Sequence, residues 1–280
     1  MIRRAGPGDR EAMENFLSRH AETTMFLRGN LAAHGTEEES HPNGTTFYLS
    51  RAEGEIRGIA GLTNGGFLMC QAGDASDDFF AALPRLLAGR SIKGMTGAPD
   101  QVSRVFAALG CEHAAFSLRG AEPLYALALS DLPPLPGDAH GLRLPQEADI
   151  PLLEDWLAAY HAETGTGFRD LQDAARRLMD NPDTRLLVRA DEPLAMASFN
   201  ARAGDMVQIG NVYVPPARRG AGLGGEIVLR QLHRAARDGT RRAILFAVSP
   251  FAARAYEKIG FRRIGAYEIA LFETPWEVSE

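Results

Sequence analysis

The sequence is poor in cysteine, in basic residues relative to acidic ones, and in long apolar runs. Its 280 residues include only two cysteines, Cys70 and Cys111, so neither a disulfide framework nor a zinc-ligand spacing is present. No apolar run approaches the roughly 18 residues that a membrane-spanning helix needs, and the N-terminus has no stretch of signal-peptide type. These absences predict a cytoplasmic protein without a structural metal.

The charge balance excludes a second group of functions. Acidic residues number 36 against 30 basic ones, which gives a formal net charge of -6. This balance argues against a general binder of nucleic acid or of anionic membranes. Hydrophobic residues make up 45% and charged residues 24%, as in ordinary soluble globular proteins. We therefore expect no nucleic acid and no membrane among the partners.

A proline-rich segment predicts a boundary between two domains. Residues 130–138 contain three prolines and a glycine, and proline both removes backbone donors and disfavours helix in the residue before it. We predict a linker over 131–140 between one domain at 1–130 and another at 141–280. Both halves have the size of a normal domain.

The two halves resemble each other in sequence. Ile2–Arg4 followed by Asp9 mirrors Leu142–Leu144 followed by Asp149, at a constant offset of 140 residues. Both copies predict a short strand, an aspartate at a helix N-cap and an amphipathic helix. Near the other end of each half, residues 103–110 and 253–260 both predict a helix that ends on a glycine. The pattern indicates an internal repeat.

The second half shows a clear alternation of strands and helices. Enrichment in β-branched residues and turn signals predict strands, and apolar residues at helical spacing predict helices. The sum is a mixed α/β sheet with helices on its faces. The predicted strands cover 184–189, 194–199, 206–214, 242–248 and 269–272, with helices at 226–237 and up to 259.

Residues 211–226 hold the most informative pattern: a strand runs into a glycine-rich turn that opens a helix. Such a turn points several unpaired N–H groups at one spot, at the positive end of the helix dipole, and suits a pyrophosphate. Gly220-x-Gly222-x-x-Gly225 formally matches a dinucleotide fingerprint, but the tight turn and the downstream acidic residue are absent. A Walker-type loop lacks its Gly-Lys-Ser/Thr ending. A coenzyme A site is the third alternative.

Two motifs resemble those of the GNAT N-acetyltransferase superfamily. Residues 214–224 are similar to its acyl-CoA loop, with Arg219, Gly222 and Gly224 at the motif positions. Residues 249–261 are similar to its second signature, with Ser249 where the family usually has asparagine. The resemblance covers about 140–273, essentially the whole second half.

The resemblance implies a fold, a co-substrate and a set of site residues. The expected fold class is α/β, with two GNAT-like domains that are each a mixed, mostly antiparallel sheet flanked by helices. The expected co-substrate is acetyl-CoA, with no metal. Its contacts would come from the turn, the strand before it and the start of the last helix: Val212, Tyr213, Val214, Arg219, Gly220, Ala221, Gly222, Leu223, Gly224, Gly225, Ser249 and Ala252.

Elementary chemistry supports this arrangement. Pro215 and Pro216 have no N–H for a sheet ladder, so we expect a gap beside the strand end in which a pantetheine arm fits. A main-chain N–H of Val212 or Tyr213 would polarise the thioester carbonyl. The phenol of Tyr256 would donate a proton to the leaving thiolate, whose conjugate acid has a pKa of about 8.5.

No general base is secure in this sequence. His161 and Glu163 lie on a predicted helix of the second half and are candidates, although a solvated helix face explains both. Asn211 cannot act as a base.

The first half lacks the features that carry this chemistry. At the position of the glycine turn it has Asp74, Asp77 and Asp78, which would repel a pyrophosphate. Phe106 stands where Tyr256 stands in the second half. We infer a degenerate repeat that shapes the acceptor pocket or stabilises the catalytic half.

The sequence thus predicts an acyl-CoA-dependent N-acyltransferase that acetylates a primary amine by direct attack. A non-catalytic acyl-CoA-binding regulatory module is the alternative, since it would keep the glycine turn without an acceptor pocket. A nicotinamide-dependent oxidoreductase is a third hypothesis.

Overall fold

The computed structural model describes residues 2–165 and 170–279. The strands in chain order are β1 (Ile2–Arg4), β2 (Thr45–Ala52), β3 (Glu55–Thr63), β4 (Phe67–Gln71), β5 (Ser91–Gly97), β6 (Phe116–Ala128), β7 (Gly141–Arg143), β8 (Arg185–Arg189), β9 (Glu192–Ala203), β10 (Met206–Tyr213), β11 (Arg242–Phe246) and β12 (Arg262–Glu277). The helices are α1 (Arg10–Leu17), α2 (Met25–His34), α3 (Asp77–Leu87), α4 (Pro99–Leu109), α5 (Ile150–Thr164), α6 (Leu171–Asp180), α7 (Leu223–Arg237) and α8 (Pro250–Lys258). Within the described ranges, every helix is too short or too polar to cross a bilayer.

The chain divides into two units that repeat one topology. The first unit comprises residues 1–122 and 266–280, and the second comprises 123–265. In the first unit the strand order is β1-β2-β3-β4-β5-β12, and in the second it is β7-β8-β9-β10-β11-β6. β4 runs parallel to β5, and β10 runs parallel to β11, whereas the other neighbours within each unit are antiparallel. Each unit is thus a mixed, mostly antiparallel sheet with helices, as the sequence predicted.

The units divide the chain differently from the predicted boundaries. The end of β6 pairs with β11 of the second unit over Leu124–Ala128. The last strand of the chain, expected in the second domain, instead pairs with β5 of the first unit. Alternation along a strand shows which residues face a core, but it does not name the neighbouring strand. The sequence pattern therefore could not detect that each half supplies the last strand of the other unit.

The repeat is visible in side-chain detail. Arg3 donates two hydrogen bonds to Asp9, both of 2.7 Å, and Arg143 donates two to Asp149, of 2.6 and 2.9 Å. Each aspartate stands at the N-cap position of the following α-helix, yet its side chain accepts from a backbone N–H three residues earlier. Each aspartate side chain therefore caps the short 3-10 turn before the α-helix, and not the α-helix itself as the sequence predicted. The Arg143 guanidinium holds the pKa of Asp149 below its usual range.

The proline-rich segment is attached to α7 through its carbonyl groups. Arg230 donates to the carbonyls of Pro136 and Gly137 at 2.8 and 2.6 Å, and the ring of His233 lies 2.8 Å from the Pro133 carbonyl. The prolines lack N–H groups, but their carbonyls remain good acceptors. Hydrogen bonds therefore hold the predicted linker against α7 of the second unit.

Two hydrophobic clusters cover opposite faces of the second sheet. One contains inward residues of α7 and α8 together with Ala197, Phe199 and Ile209. The other joins α5 and α6 to Met196 and Tyr213. Since successive strand residues point to opposite faces, this alternation fixes which side chains of β9 and β10 look toward each helix pair.

Candidate active site

The glycine-rich turn after β10 has the backbone geometry of an anion site. Gly220 and Gly222 adopt positive φ angles of 85° and 78°, and Gly222 is the N-cap of α7. This left-handed cap starts the helix at Leu223, three residues before the predicted Glu226. The N–H groups of residues 220–225 have no hydrogen-bond acceptor among the described parts of the chain. A row of free N–H groups at a helix N-terminus is suited to a phosphate.

The gap beside β10 stays a prediction, but the pairing of β10 with β11 ends earlier than the prolines require. The ladder between β10 and β11 pairs Met206 through Ile209 and ends there, several residues before Pro215. A register shift between Gly210 and Tyr213 follows on the other side of β10, and Asn211 has a φ of 52°. A β-bulge of this kind bends the strand and ends its pairing. The bulge, rather than the prolines, opens the sheet.

The strand end after the bulge has one carbonyl already bound. Val212 and Val214 are half-buried against the α7–α8 cluster, and a Cβ built on Gly224 would lie 3.5 Å from Val214 Cγ2. The Val214 carbonyl accepts from Arg219 Nε at 2.9 Å. The Val214 carbonyl, one of the backbone groups predicted to contact a pantetheine arm, is therefore already hydrogen-bonded to the arginine of the turn. Tyr213 lies on the opposite face, with its ring centroid 5.8 Å from that of Trp156.

Arg219 forms an ion pair with the helix α5. Its Nη2 lies 2.7 and 2.8 Å from the two carboxylate oxygens of Glu163, and both side chains are close to half exposed. The guanidinium carbon also lies 5.8 Å from the Tyr213 ring centroid. Glu163, a candidate base in the sequence, is thus the counter-ion of the turn arginine. Both oxygens of this carboxylate are therefore engaged by the Arg219 guanidinium.

Tyr256 lies inside the α7–α8 cluster. It is 7% exposed, and its ring meets that of Phe261 edge-on at 6.1 Å between centroids. Burial raises the pKa of Tyr256, and the neighbouring Tyr160 raises it further. The phenol therefore keeps its proton at neutral pH. Tyr160, on α5 four residues after Trp156, is a site residue that the sequence reading missed; its helical spacing from Trp156 was the available signal.

Ser249 acts as the N-cap of α8. Its Oγ accepts from the Ala252 N–H at 3.2 Å, so this N–H is already used. The hydroxyl proton of Ser249 is still a possible donor to a ligand. Of the contacts predicted from Ser249 and Ala252 to a cofactor, the one that these residues can still form is a hydrogen bond donated by the Ser249 hydroxyl.

His161, the other base candidate, is half-buried on α5. Burial lowers the pKa of His161, so the imidazole is neutral at pH 7. Such a group can accept a proton only from a weakly basic partner.

The first unit closes the equivalent gap with its own side chain. β4 and β5 pair only up to Met69 and Thr96, and the buried Gln101 of α4 lies beyond. Gln101 Oε1 accepts from the Ala72 N–H at 2.7 Å and lies 3.7 Å from Cys70 Sγ. Phe106 is fully buried in this core. At the corresponding positions the first unit therefore has an Ala72 N–H that is already bonded to Gln101, and a phenylalanine without a hydroxyl in place of Tyr256.

The second unit is an α/β domain with a bulged strand that leads into a glycine-rich turn at a helix N-terminus. Residues 157–269 match the family model described as acetyltransferase (GNAT) domain. The match to a GNAT acetyltransferase domain thus lies within the second half of the chain, where the motifs showed the same resemblance. The comparison with curated proteins found no match.

Solved structures share the fold over nearly the whole chain. A Drosophila protein determined by structural genomics has a TM-score of 0.66 and 15% identity, covering 96% of this chain and 98% of its own. A GCN5-related N-acetyltransferase from Sphaerobacter thermophilus has a TM-score of 0.59 and 16% identity, covering 100% and 97%. A tandem GNAT protein from the clavulanic acid biosynthesis pathway has a TM-score of 0.51 and 14% identity, covering 96% and 97%. At these identities the similarity concerns the fold.

Proposed function

We propose that the chain transfers an acetyl group from acetyl-CoA to a primary amine, with the reaction in the second unit. The observation that carries this proposal is the end of the β10–β11 ladder at Ile209, on the strand that leads into the turn with the free N–H groups of residues 220–225. The first feature offers a slot within the sheet, and the second offers a cradle for a diphosphate. Coenzyme A contains both an extended pantetheine arm for the slot and a diphosphate for the cradle.

The residues of the second unit fit the chemistry of acyl transfer. Acetyl-CoA would supply an activated acyl group whose carbonyl becomes negatively charged as an amine attacks it. Main-chain N–H groups of the bulge after Gly210 are freed from β11 and can donate to that oxygen. Removal of one such donor typically slows an acyl transfer by about 10²–10³-fold.

Tyr256 would serve the departing thiolate. Because burial raises its pKa, the phenol is protonated throughout the working pH range and can donate a hydrogen bond to sulfur. Full proton transfer to a group with a pKa of about 8.5 is uphill, so the hydrogen bond strengthens as charge develops. A positioned acid of this kind contributes about 10²-fold or more.

The direct test combines calorimetry with turnover. Coenzyme A should bind with a stoichiometry of one per chain, because Gln101 fills the slot of the first unit. Tyr256→Phe should retain CoA affinity and lose about 10²-fold in kcat. Tyr267→Phe is the matched control, since Tyr267 is equally buried in the first unit and its pKa is likewise raised by burial.

Two outcomes would contradict the proposed acyl transfer, and a third would contradict only the acid role of Tyr256. Binding of NAD(P)H instead of CoA would favour an oxidoreductase. CoA binding without turnover across a broad amine panel would favour a regulatory module. Full activity of Tyr256→Phe at every pH would remove the acid role while leaving the acyl transfer.

A further inference from the structure

Four neutral polar side chains surround the bulge on the sheet face opposite α7 and α8. Ser198 and Gln208 alternate along β9 and β10 with residues of the α7–α8 cluster, so they point to the other face. Asn211 Nδ2 donates to Ser198 Oγ at 2.8 Å and to Asn200 Oδ1 at 2.9 Å. Ser198, Asn200, Gln208 and Asn211 are called the bulge cluster below.

The bulge cluster lies next to the place where the thioester carbonyl would be polarised. Asn211 is itself in the bulge, with its positive φ, and the Asn200 side chain lies over Gly210 so closely that any Cβ there would clash. The α7–α8 side of the slot is filled by the cluster that contains Tyr256. On the face of the bulge cluster, Asn200 is exposed and Asn211 is partly exposed, so an attacking amine can approach from that side.

Gln208 presents a hydrogen-bond acceptor without a partner among the residues that the structure describes. Its side chain is 2% exposed, and its Nε2 donates to the Ile209 carbonyl at 2.5 Å, whereas its Oε1 is buried and accepts no hydrogen bond from these residues. A buried acceptor left unsatisfied is unfavourable, and a bound N–H or O–H group would relieve that cost. This atom points to a ligand that donates a hydrogen bond.

No member of the bulge cluster carries a charge, and this limits the amine. An ammonium group transferred from water to neutral amides loses more solvation than it regains. On α5 the Glu163 carboxylate is paired with Arg219, and burial lowers the pKa of the His161 imidazole, which makes it a weaker base. The nearby phenols of Tyr160 and Tyr256 and the cation of Arg219 offer no negative charge at neutral pH.

We infer that the bulge cluster is the acceptor subsite and that it takes amines of low basicity, such as an α-amino group or an amino sugar, rather than lysine side chains or polyamines. This inference rests on the proposed function. The amine arrives as the free base, its nitrogen forms the bond to the acyl carbon, and the C–S bond breaks. The proton of the new amide nitrogen leaves to solvent and the thiolate takes one from its surroundings.

The free-base fraction sets the expected size of the preference. An α-amino group has a pKa of about 7.7–8.0 and a lysine side chain about 10.4. At pH 7.5 the neutral fraction is therefore about 250-fold larger for the α-amine, and the greater nucleophilicity of the more basic amine offsets part of this. A preference of at least about tenfold should remain.

The test uses the intact chain, acetyl-CoA and three acceptors at pH 7.5. The dipeptide amide Gly-Lys carries both kinds of amine in one molecule, and mass spectrometry locates the acetyl group. Glucosamine represents the weakly basic class and spermidine the strongly basic class. We expect acetylation of the Gly-Lys α-amine or of glucosamine, at least tenfold faster than at the lysine side chain or on spermidine.

Variants of Gln208 connect the preference to the cluster. Gln208→Leu should raise KM for the acceptor at least fivefold and leave the Kd for CoA unchanged, whereas Gln208→Glu should increase the share of acetylation at the lysine side chain. Gln231→Leu is the matched control, because Gln231 on α7 is also 2% exposed with an unpartnered Oε1. It should alter neither the acceptor KM nor the preference.

The outcomes separate this inference from the proposed function. If the wild-type chain does not bind CoA, the proposed function itself fails. If CoA binds and the lysine side chain or spermidine reacts preferentially, or none of the three acceptors reacts, only the acceptor inference is overturned. Equal effects of Gln208→Leu and Gln231→Leu on the acceptor KM would also overturn it.

Discussion

The exchange of terminal strands predicts that the second half cannot fold from its own residues alone. A fragment of residues 141–280 contains the glycine turn and Tyr256 but lacks the end of β6, which pairs with β11. A fragment of residues 123–265 contains the complete second unit. The two fragments have similar lengths, so chain length does not distinguish them.

The lost segment carries a large share of the core. Tyr125, Leu127 and Leu129 are at most 6% exposed and belong to the α7–α8 cluster. Burial of one large apolar side chain contributes about 1.5–3 kcal/mol, so the three together contribute roughly 4.5–9 kcal/mol. The whole stability of a domain is about 5–15 kcal/mol. We therefore expect fragment 141–280 to be unfolded or aggregated, since it also exposes β11 as an open edge.

Thermal unfolding followed by circular dichroism, together with amide NMR spectra, checks this prediction. Fragment 123–265 should give a cooperative transition and dispersed resonances, and fragment 141–280 should give neither. The triple substitution of Tyr125, Leu127 and Leu129 by alanine within 123–265 should reproduce the loss. A cooperative transition of 141–280 at the same temperature as 123–265 would refute the reasoning.

Two further predictions concern ion pairs. Glu163→Gln should tighten CoA binding by up to about fivefold, because an exposed ion pair is worth about 0–1 kcal/mol and its loss frees Arg219 for a phosphate. Glu192→Gln, which frees only Arg218, is the control. An equal effect of both variants on the calorimetric Kd for CoA would contradict the role of Glu163. Asp149→Asn should lower the free energy of unfolding at pH 7 by about 1–3 kcal/mol. Because the pKa of Asp149 is lowered in the folded protein, the carboxylate stabilises the fold above pH about 4, and this contribution is lost as the pH falls further. The free energies of unfolding of variant and wild type, measured by denaturant titration, should therefore converge in acid. A difference that stays constant with pH would contradict this.

Much of the site could be predicted from local patterns. The glycine turn, the helix that follows it and Tyr256 all lie within short segments whose spacing reflects backbone requirements: positive φ at Gly220 and Gly222, and an unpaired helix N-terminus. The repeat at an offset of 140 residues was equally local, and it reappears as the same strand order in both units.

Contacts between distant segments could not be predicted in this way. The pairing of Glu163 with Arg219 joins residues 56 positions apart, and sequence reading assigned Glu163 to a solvated face. Likewise, Gln101 has no local pattern that marks it as the side chain that fills the first unit's gap.

The sequence by itself determined the glycine-rich turn and the helix that follows it, because a turn with positive φ angles and a helix cap are properties of a few consecutive residues. Only the tertiary structure decided where the sheet opens and which strands complete each unit. The bulge at Gly210–Asn211 depends on the register against β9, and the placement of β6 and β12 depends on edge-to-edge pairing between segments far apart in sequence. Strand pairing is a non-local free energy, and alternation of side chains along one strand contains no record of its partner.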